Sequence, residues 1–309
     1  MGSRGSHGCS DRRIGEIGWI GENGVVDPVI IEVAVNGATR PAAQPQVPVS
    51  PDEIVATGRA CVEAGASIVH QHDDLREIRA GGGGPDAMAG LGLAAYTGLL
   101  SSHPDVIVYP TANFLGRTLA ERWDHHRVLA REMPGQGVGR LRMGLVDPGT
   151  VTLGSFEYGF TPAEIAEKWE ACRELGLGAS IACFTPDYVE AVLAEHGSRG
   201  LPQGSLVKFY LSPDFGLPPT AQSLDHYLAM IDGSGLHWAV AVLGGDVVAS
   251  GVAALAIERG GHVRVGLEDY AGPRHPRNEE LVAEVADLAR ASGRGVATCR
   301  DTARILQLP

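Results

Sequence analysis

Short apolar, β-branched runs recur along this chain, and between them lie segments whose apolar residues fall at helical spacing. The runs are PVIIEVAVN (28–36), ASIVHQH (66–72), DVIVYPT (105–111), RLRMGLV (140–146), GASIACF (178–184), SLVKFYL (205–211), HWAVAVL (237–243) and GHVRVGLE (261–268). Their length and composition mark them as strands. The intervening segments open on helix-start chemistry, as in Ser50-Pro51-Asp52-Glu53 and Thr161-Pro162-Ala163-Glu164, and close on glycine. Strict alternation of strand and helix implies parallel pairing. Eight such units fit a closed (β/α)8 TIM barrel, a single-domain α/β fold over residues 28–309, better than an open doubly wound sheet. No G-x-G-x-x-G follows the first strand to favour the latter.

Composition narrows the function classes. The chain has 309 residues, 44% hydrophobic and 20% charged, enough for a large globular core, and a formal charge of −12. That charge leaves no extended basic footprint for nucleic acid or an anionic membrane, so any anionic ligand must use a local pocket. The longest apolar tract (238–257) is broken by Gly244, Gly245 and Asp246 and reads as strand, loop, helix rather than a membrane span. Cys9, Cys61, Cys172, Cys183 and Cys299 are scattered, odd in number and without C-x-x-C spacing; neither a disulfide framework nor a thiolate zinc knot is expected, and a cytoplasmic location fits. Residues 1–27 begin MGSRGSHGCSDRR, an N-terminal extension that is partly tag-like and has no apolar signal-peptide region.

The second predicted strand ends in His70-Gln71-His72. Alternate residues of a strand share a face, so both imidazoles project the same way, at the strand end where such barrels carry their chemistry. The eighth strand alternates Val263, Val265 and Leu267 with His262, Arg264, Gly266 and Glu268. Its apolar face meets the helices, which leaves Arg264 and Glu268 in the lumen. Barrel closure puts this strand one removed from the second, so Glu268 can approach the two histidines. Two His and one Glu with an open position form the ligand set of a catalytic zinc, although other divalent metals accept the same ligands. The structural alternative is a buried Arg–Glu ion pair that fills the barrel.

GGHVRVGLED (260–269), the H-x-H after EAGASIVH, the opening PVIIEVAVNGA and the tail GRGVATCRDTARILQL together resemble the β-keto acid cleavage enzymes, over about Pro28 to Leu308. The resemblance implies a zinc-dependent homotetramer that condenses a β-keto acid with acetyl-CoA to give acetoacetate and a new acyl-CoA. By position it makes His70, His72 and Glu268 the metal ligands, Asp269 the general base and Arg264 the group that orients it. Thr111 and Asn113 fall where the family places substrate contacts.

Several positions depart from the family pattern. Asp73 and Asp74 replace an Ala-Arg pair, Ala179-Ser180-Ile181-Ala182 replaces a Pro-Glu-Leu-Glu stretch that partners the arginine, and Glu157 replaces an asparagine in GSFEYG. Glu32 shares a strand face with Ala34 and Asn36. Arg264 is therefore expected to lack its second carboxylate. A mouth bearing Asn36, Asp73 and Glu157 among its substrate contacts is expected to favour a keto acid with an amino, guanidino or ammonium group. Two alternatives stay open: a zinc TIM-barrel hydrolase or aldolase that does not use CoA, and a non-catalytic metal- or ligand-binding paralogue. Among weaker signals, Gly81–Gly84 reads as a flexible loop, Lys208 as a substrate contact at most, Cys183 as a packed core thiol, and Trp123, His125 and His126 as surface residues.

Overall fold

The computed structural model describes residues 27–133 and 139–309; the expectation for the N-terminal extension lies, apart from Asp27, outside them. In chain order the elements are β1 (Ile31–Ala34), α1 (Pro51–Ala64), β2 (Ile68–Gln71), α2 (Leu75–Ala80), α3 (Pro85–Ser102), β3 (Ile107–Pro110), α4 (Leu119–Trp123), α5 (His125–Glu132), β4 (Met143–Val146), β5 (Thr150–Leu153), β6 (Phe156–Gly159), α6 (Pro162–Leu175), β7 (Gly178–Cys183), α7 (Pro186–Arg199), β8 (Leu206–Leu211), α8 (Ala221–Met230), β9 (Trp238–Val242), α9 (Val252–Glu258), β10 (His262–Val265), α10 (Asn278–Ala291) and α11 (Cys299–Ile305). The helix starts follow from local chemistry. Ser50 and Thr161 each cap a helix, each in a capping box with the glutamate three residues on, and a proline follows each cap.

Eight strands form one sheet in the order β3-β2-β1-β10-β9-β8-β7-β4, and every neighbouring pair is parallel. β3 and β4 pack alongside each other, so the sheet curls into a nearly closed TIM barrel. Each of the eight apolar runs became one barrel strand. β1 sits between β10 and β2, with Glu32 in register with Arg264 on one side and Ala34 with His70 on the other. All barrel-strand residues are buried, so the charged residues on them must find partners inside the protein. Among the described residues no helix is long and apolar enough to cross a membrane.

Two local features escaped the sequence. GSFEYG forms the turn and second strand of an antiparallel hairpin, β5–β6, beyond β4. Trp123, His125 and His126 are buried, not on the surface. Asp124, between α4 and α5, keeps right-handed helical backbone, and the three rings pack inward against the barrel. Each ring has a backbone partner: Trp123 Nε1 donates to Leu145 O (2.8 Å), His125 Nε2 lies 2.7 Å from Thr111 O, and His126 Nε2 accepts from Leu145 N (3.2 Å), while His125 Nδ1 is buried without a partner.

Candidate active site

His70 and His72 leave the end of β2 with their ring centroids 5.2 Å apart. His70 Nε2 lies 3.5 Å from Glu268 Oε2, and His72 Nε2 lies 3.5 Å from Glu268 Oε1. Glu268 reaches them from a turn rather than from the strand, because β10 ends at Val265. Two glycines permit the approach. A Cβ on Gly266 (φ +144) would lie 2.1 Å from Ala34 O, and one on Gly37 (φ +56) would lie 2.2 Å from Glu268 Cγ. Asn278 ties the turn to β1, accepting from Leu267 N (2.9 Å) and donating to Val35 O (2.8 Å), and Thr39 Oγ1 donates to Leu267 O (2.7 Å). Asn36 clamps the backbone of His72 from both sides, accepting from its N–H and donating to its carbonyl, each at 2.8 Å. Asn36 thus positions a candidate ligand, and its amide is occupied.

The donor set fits a divalent cation. The three ligand atoms, one from each residue, lie within 4.8 Å of one another, and each imidazole Nε2 lies 3.5 Å from one oxygen of the Glu268 carboxylate, a spacing that small side-chain shifts bring to metal bonds of about 2.1 Å. Burial lowers the His70 pKa to about 3, so the ring is neutral. Its Nδ1 lies 3.2 Å from Tyr109 O, which fixes the proton there and leaves the Nε2 lone pair facing the cluster. Burial opposes ionisation of Glu268, but Arg264 and His72 hold its carboxyl well below the usual range. Glu268 Oε2 is buried without a hydrogen-bond partner, an orphaned acceptor of the kind that a metal satisfies.

Arg264, 1% exposed, lies beneath the cluster and uses every edge of its guanidinium. Nε and Nη2 donate to the two oxygens of Asp269 (2.8 and 3.1 Å), Nη2 meets Glu268 Oε1 (2.8 Å), and Nη1 donates to Glu32 Oε1 (2.9 Å). The expected loss of a second carboxylate is therefore corrected: Glu32 on β1 supplies one. Lys208 is likewise a member of this buried network and donates to Glu32, Tyr109 and Ser180. Asp269 is buried, and desolvation pushes its carboxyl up to about 6 despite Arg264.

The acidic residues do not gather on one wall: Asp73 and Asp74 line a cavity with Glu53 and Glu77, apart from Glu32 on β1 and Glu157 on β6. Glu32 is neutralised by Arg264 and Lys208. Asp74 caps α2 and pairs with Arg76. Asp73 is buried and accepts from Gln71 Nε2 (2.9 Å). Glu157 is exposed, on the opposite face of β6 from the buried Tyr158. Asn113 is fully buried with its amide on Gly83 O and Glu121 O, so it pins the glycine loop instead of facing a ligand. Thr111 stands at the end of β3, 5% exposed.

What surrounds the lumen instead is aromatic. Ring contacts run from His72 to Phe114 (5.6 Å), Tyr158 (5.5 Å), Phe184 (6.2 Å) and Tyr210 (4.7 Å), whose ring lies 5.3 Å from the Arg264 guanidinium. The Tyr158 hydroxyl donates to Asp147, just past β4. These rings come from segments after β3, β4 and β7 and from β8. Phe114 and Tyr158 carry no periodic signal, which is why the sequence alone did not bring the arc together. Tyr109 and Ser180 lie in predicted strands, but their partners stand across the lumen, and Asn278 lies at the start of a helix; none was singled out.

The fold is a TIM barrel whose strand ends carry a two-histidine, one-glutamate cluster that could hold a metal, with a buried acid beside it. This chain belongs to the β-keto acid cleavage enzyme family, whose model matches residues 28–308. It is 29% identical over 293 residues to the 3-keto-5-aminohexanoate cleavage enzyme of Fusobacterium nucleatum, covering 92% of this chain and 99% of that protein. It is 26% identical to the 3-oxoadipate:acetyl-CoA acetyltransferase of Cupriavidus necator, covering 92% of this chain and 96% of that one. Among solved structures, ObcA in a ternary complex with a C4-CoA adduct and oxalate shares the fold, with a TM-score of 0.58 at 16% identity over 85% of this chain and 68% of that one.

Proposed function

We propose that this protein condenses a β-keto acid with acetyl-CoA, releasing acetoacetate and a new acyl-CoA, with zinc held by His70, His72 and Glu268. The observation that carries this reading is the placement of the Arg264–Asp269 pair directly against the metal-ready cluster. A zinc ion held there would supply Lewis acidity toward the keto oxygen. Asp269, held by the guanidinium fork, takes a proton from the carbon between ketone and carboxylate. The electron pair freed from that C–H bond forms the bond to the thioester carbonyl, and the CoA thiolate leaves. The thiolate then attacks the original ketone, the bond from that ketone to the central carbon breaks, and Asp269 returns its proton to the central carbon.

The names of the two relatives imply substrate tails of opposite charge, so the tail must be read from this chain's own walls. Glu32, Asp74 and Glu157 are committed elsewhere or face solvent, which leaves a primary ammonium the buried Asp147 Oδ1 beside Tyr158 as acceptor. Phe114, Tyr158, Phe184 and Tyr210 offer ring faces, which suit an alkyl, aryl or trimethylammonium tail. The test is metal-loaded protein with acetyl-CoA and β-keto acids bearing alkyl, aryl, trimethylammonium and primary amine tails, with acetoacetate and acyl-CoA followed by mass spectrometry. Product from the first three, abolished along with metal binding by Glu268→Gln, is the expected result. Stoichiometric metal with no product from any tail would sink the reading.

A further inference from the structure

The floor of the barrel holds two charges that the proton transfer above does not itself use. Glu32, 0% exposed, accepts three hydrogen bonds at Oε1, from Lys208 Nζ (3.0 Å), Arg264 Nη1 (2.9 Å) and the Tyr109 hydroxyl (2.5 Å). Lys208, 1% exposed, also donates to Ser180 Oγ and to the Tyr109 hydroxyl, each at 2.6 Å. The Tyr109 ring in turn stacks on the imidazole of His70 at 4.4 Å. Burial alone would raise the Glu32 carboxyl, but Lys208 and Arg264 draw it down to about 2. Every donor on Lys208 is taken, so the amine is not a free nucleophile. Without Glu32, the Nη1 edge of Arg264 would keep only the Tyr109 hydroxyl at 3.2 Å, and the planar group could rotate away from Asp269.

We propose that Glu32 and Lys208 are paired positioning residues: Glu32 holds the Nη1 edge of Arg264 so that its Nε and Nη2 edge stays aimed at Asp269, and Lys208, anchored on Ser180 and Tyr109, holds Glu32. This rests on the role proposed above for Asp269. The pair is also a charge pair. Removing both members cancels one positive and one negative charge and leaves the net charge of the cluster as it was, whereas removing one leaves the other buried without its partner.

The experiment compares Glu32→Gln, Lys208→Met and the double variant. Each single variant is expected to lower kcat about tenfold or more with KM for the keto acid within about threefold, since an orienting contact acts in the transition state rather than on binding. Deuterium uptake at the central carbon, measured without acetyl-CoA, should fall in parallel while metal content stays stoichiometric. The double variant should match Glu32→Gln in kcat within about twofold, because Lys208 acts only through Glu32, and should be more thermally stable than the two single effects predict when added. Folded single variants with kcat and deuterium uptake within about twofold of wild type would overturn the proposal. If the singles do not fold, Ser180→Ala, which removes an anchor of Lys208 without changing charge, decides: a several-fold loss of uptake supports the proposal and none overturns it. If wild-type protein shows neither uptake nor turnover, the functional reading fails separately. Crystal structures then test the pair alone: an Arg264–Asp269 contact broken in Glu32→Gln and in the double variant supports the proposal, and a contact unchanged in Glu32→Gln overturns it.

Discussion

On one side of the barrel mouth, where β2, β1 and β10 run side by side, the chemistry-bearing groups come from strand ends and one tight turn. On the other, where β3, β4, β7 and β8 end, the wall is a run of contacting rings, Phe114 and Phe184 from loops, Tyr158 from the β5–β6 hairpin and Tyr210 from β8. The first side is fixed by backbone. Asn36 grips the main chain of His72, Asn278 bridges Val35 and Leu267, and Gly37 and Gly266 allow approaches that no side chain could share. The second is fixed by side chains packing on one another, and one of them, Phe114, is 39% exposed. Groups that must meet a reacting atom sit on rigid elements, while groups that select a tail sit where sequence can vary at low structural cost.

The sharpest way to break this contrast is at Gly37. Gly37→Ala places a methyl against Glu268 and forces an L-residue into left-handed backbone, which costs about 1–2 kcal/mol of stability. It is also expected to weaken metal binding about 10–100-fold, the range typical for loss of groups that orient ligands. Competition with a chelator measures the affinity and urea unfolding the stability. Metal affinity equal to wild type would show that the backbone at Gly37 does not place the carboxylate.

The same division explains what was legible in the sequence. Eight barrel strands, the H-x-H and the GGHVRVGLED motif follow from period-2 patterning and short-range spacing, and the order β2-β1-β10 follows from closure, so the Glu268 approach was foreseeable. The network beneath Arg264 was not, because Glu32, Tyr109, Ser180 and Lys208 come from four strands and meet only across the lumen. Reading Glu32 as free negative charge failed because parity gives the face of a strand and not the charge opposite it. His125 and His126 were misplaced because their partners, the backbone of Thr111, Trp123 and Leu145, lie mostly on other elements, and a polar ring at a helical position does not show that the backbone of another element will meet it. Asn113 carries a polar side chain at a strand end, yet its amide is spent on the Gly83 and Glu121 carbonyls, a use that local pattern cannot distinguish from ligand contact.

A smaller effect is expected at Phe114. Its ring lies between His72 and Tyr158, so Phe114→Ala opens the arc without touching a metal ligand's backbone. The loss in kcat/KM for a keto acid with an alkyl or aryl tail should be about 2–10-fold, corresponding to the 0.5–1.5 kcal/mol of an aromatic contact. A keto acid without a tail should be turned over as before, and metal content should be unchanged. A drop in metal content would mean that the ring supports His72 and that the two halves of the mouth are not separable.

Glu157 should show the smallest effect, and it tests the contrast from the opposite direction. Along β6 the side chains alternate: Tyr158 turns inward to Asp147 and the arc, whereas Glu157, across from Thr152 on β5, turns out to solvent. Its charge is then screened by water and distant from the tail, unlike a desolvated carboxylate in the lumen. Glu157→Gln should change stability by no more than about 0.5 kcal/mol, as for surface substitutions generally. It should also leave kcat/KM within about twofold for trimethylammonium and neutral tails alike. A selective loss for cationic tails alone would restore an acidic mouth, and it would mean that the hairpin carries tail selection through charge as well as through the ring of Tyr158.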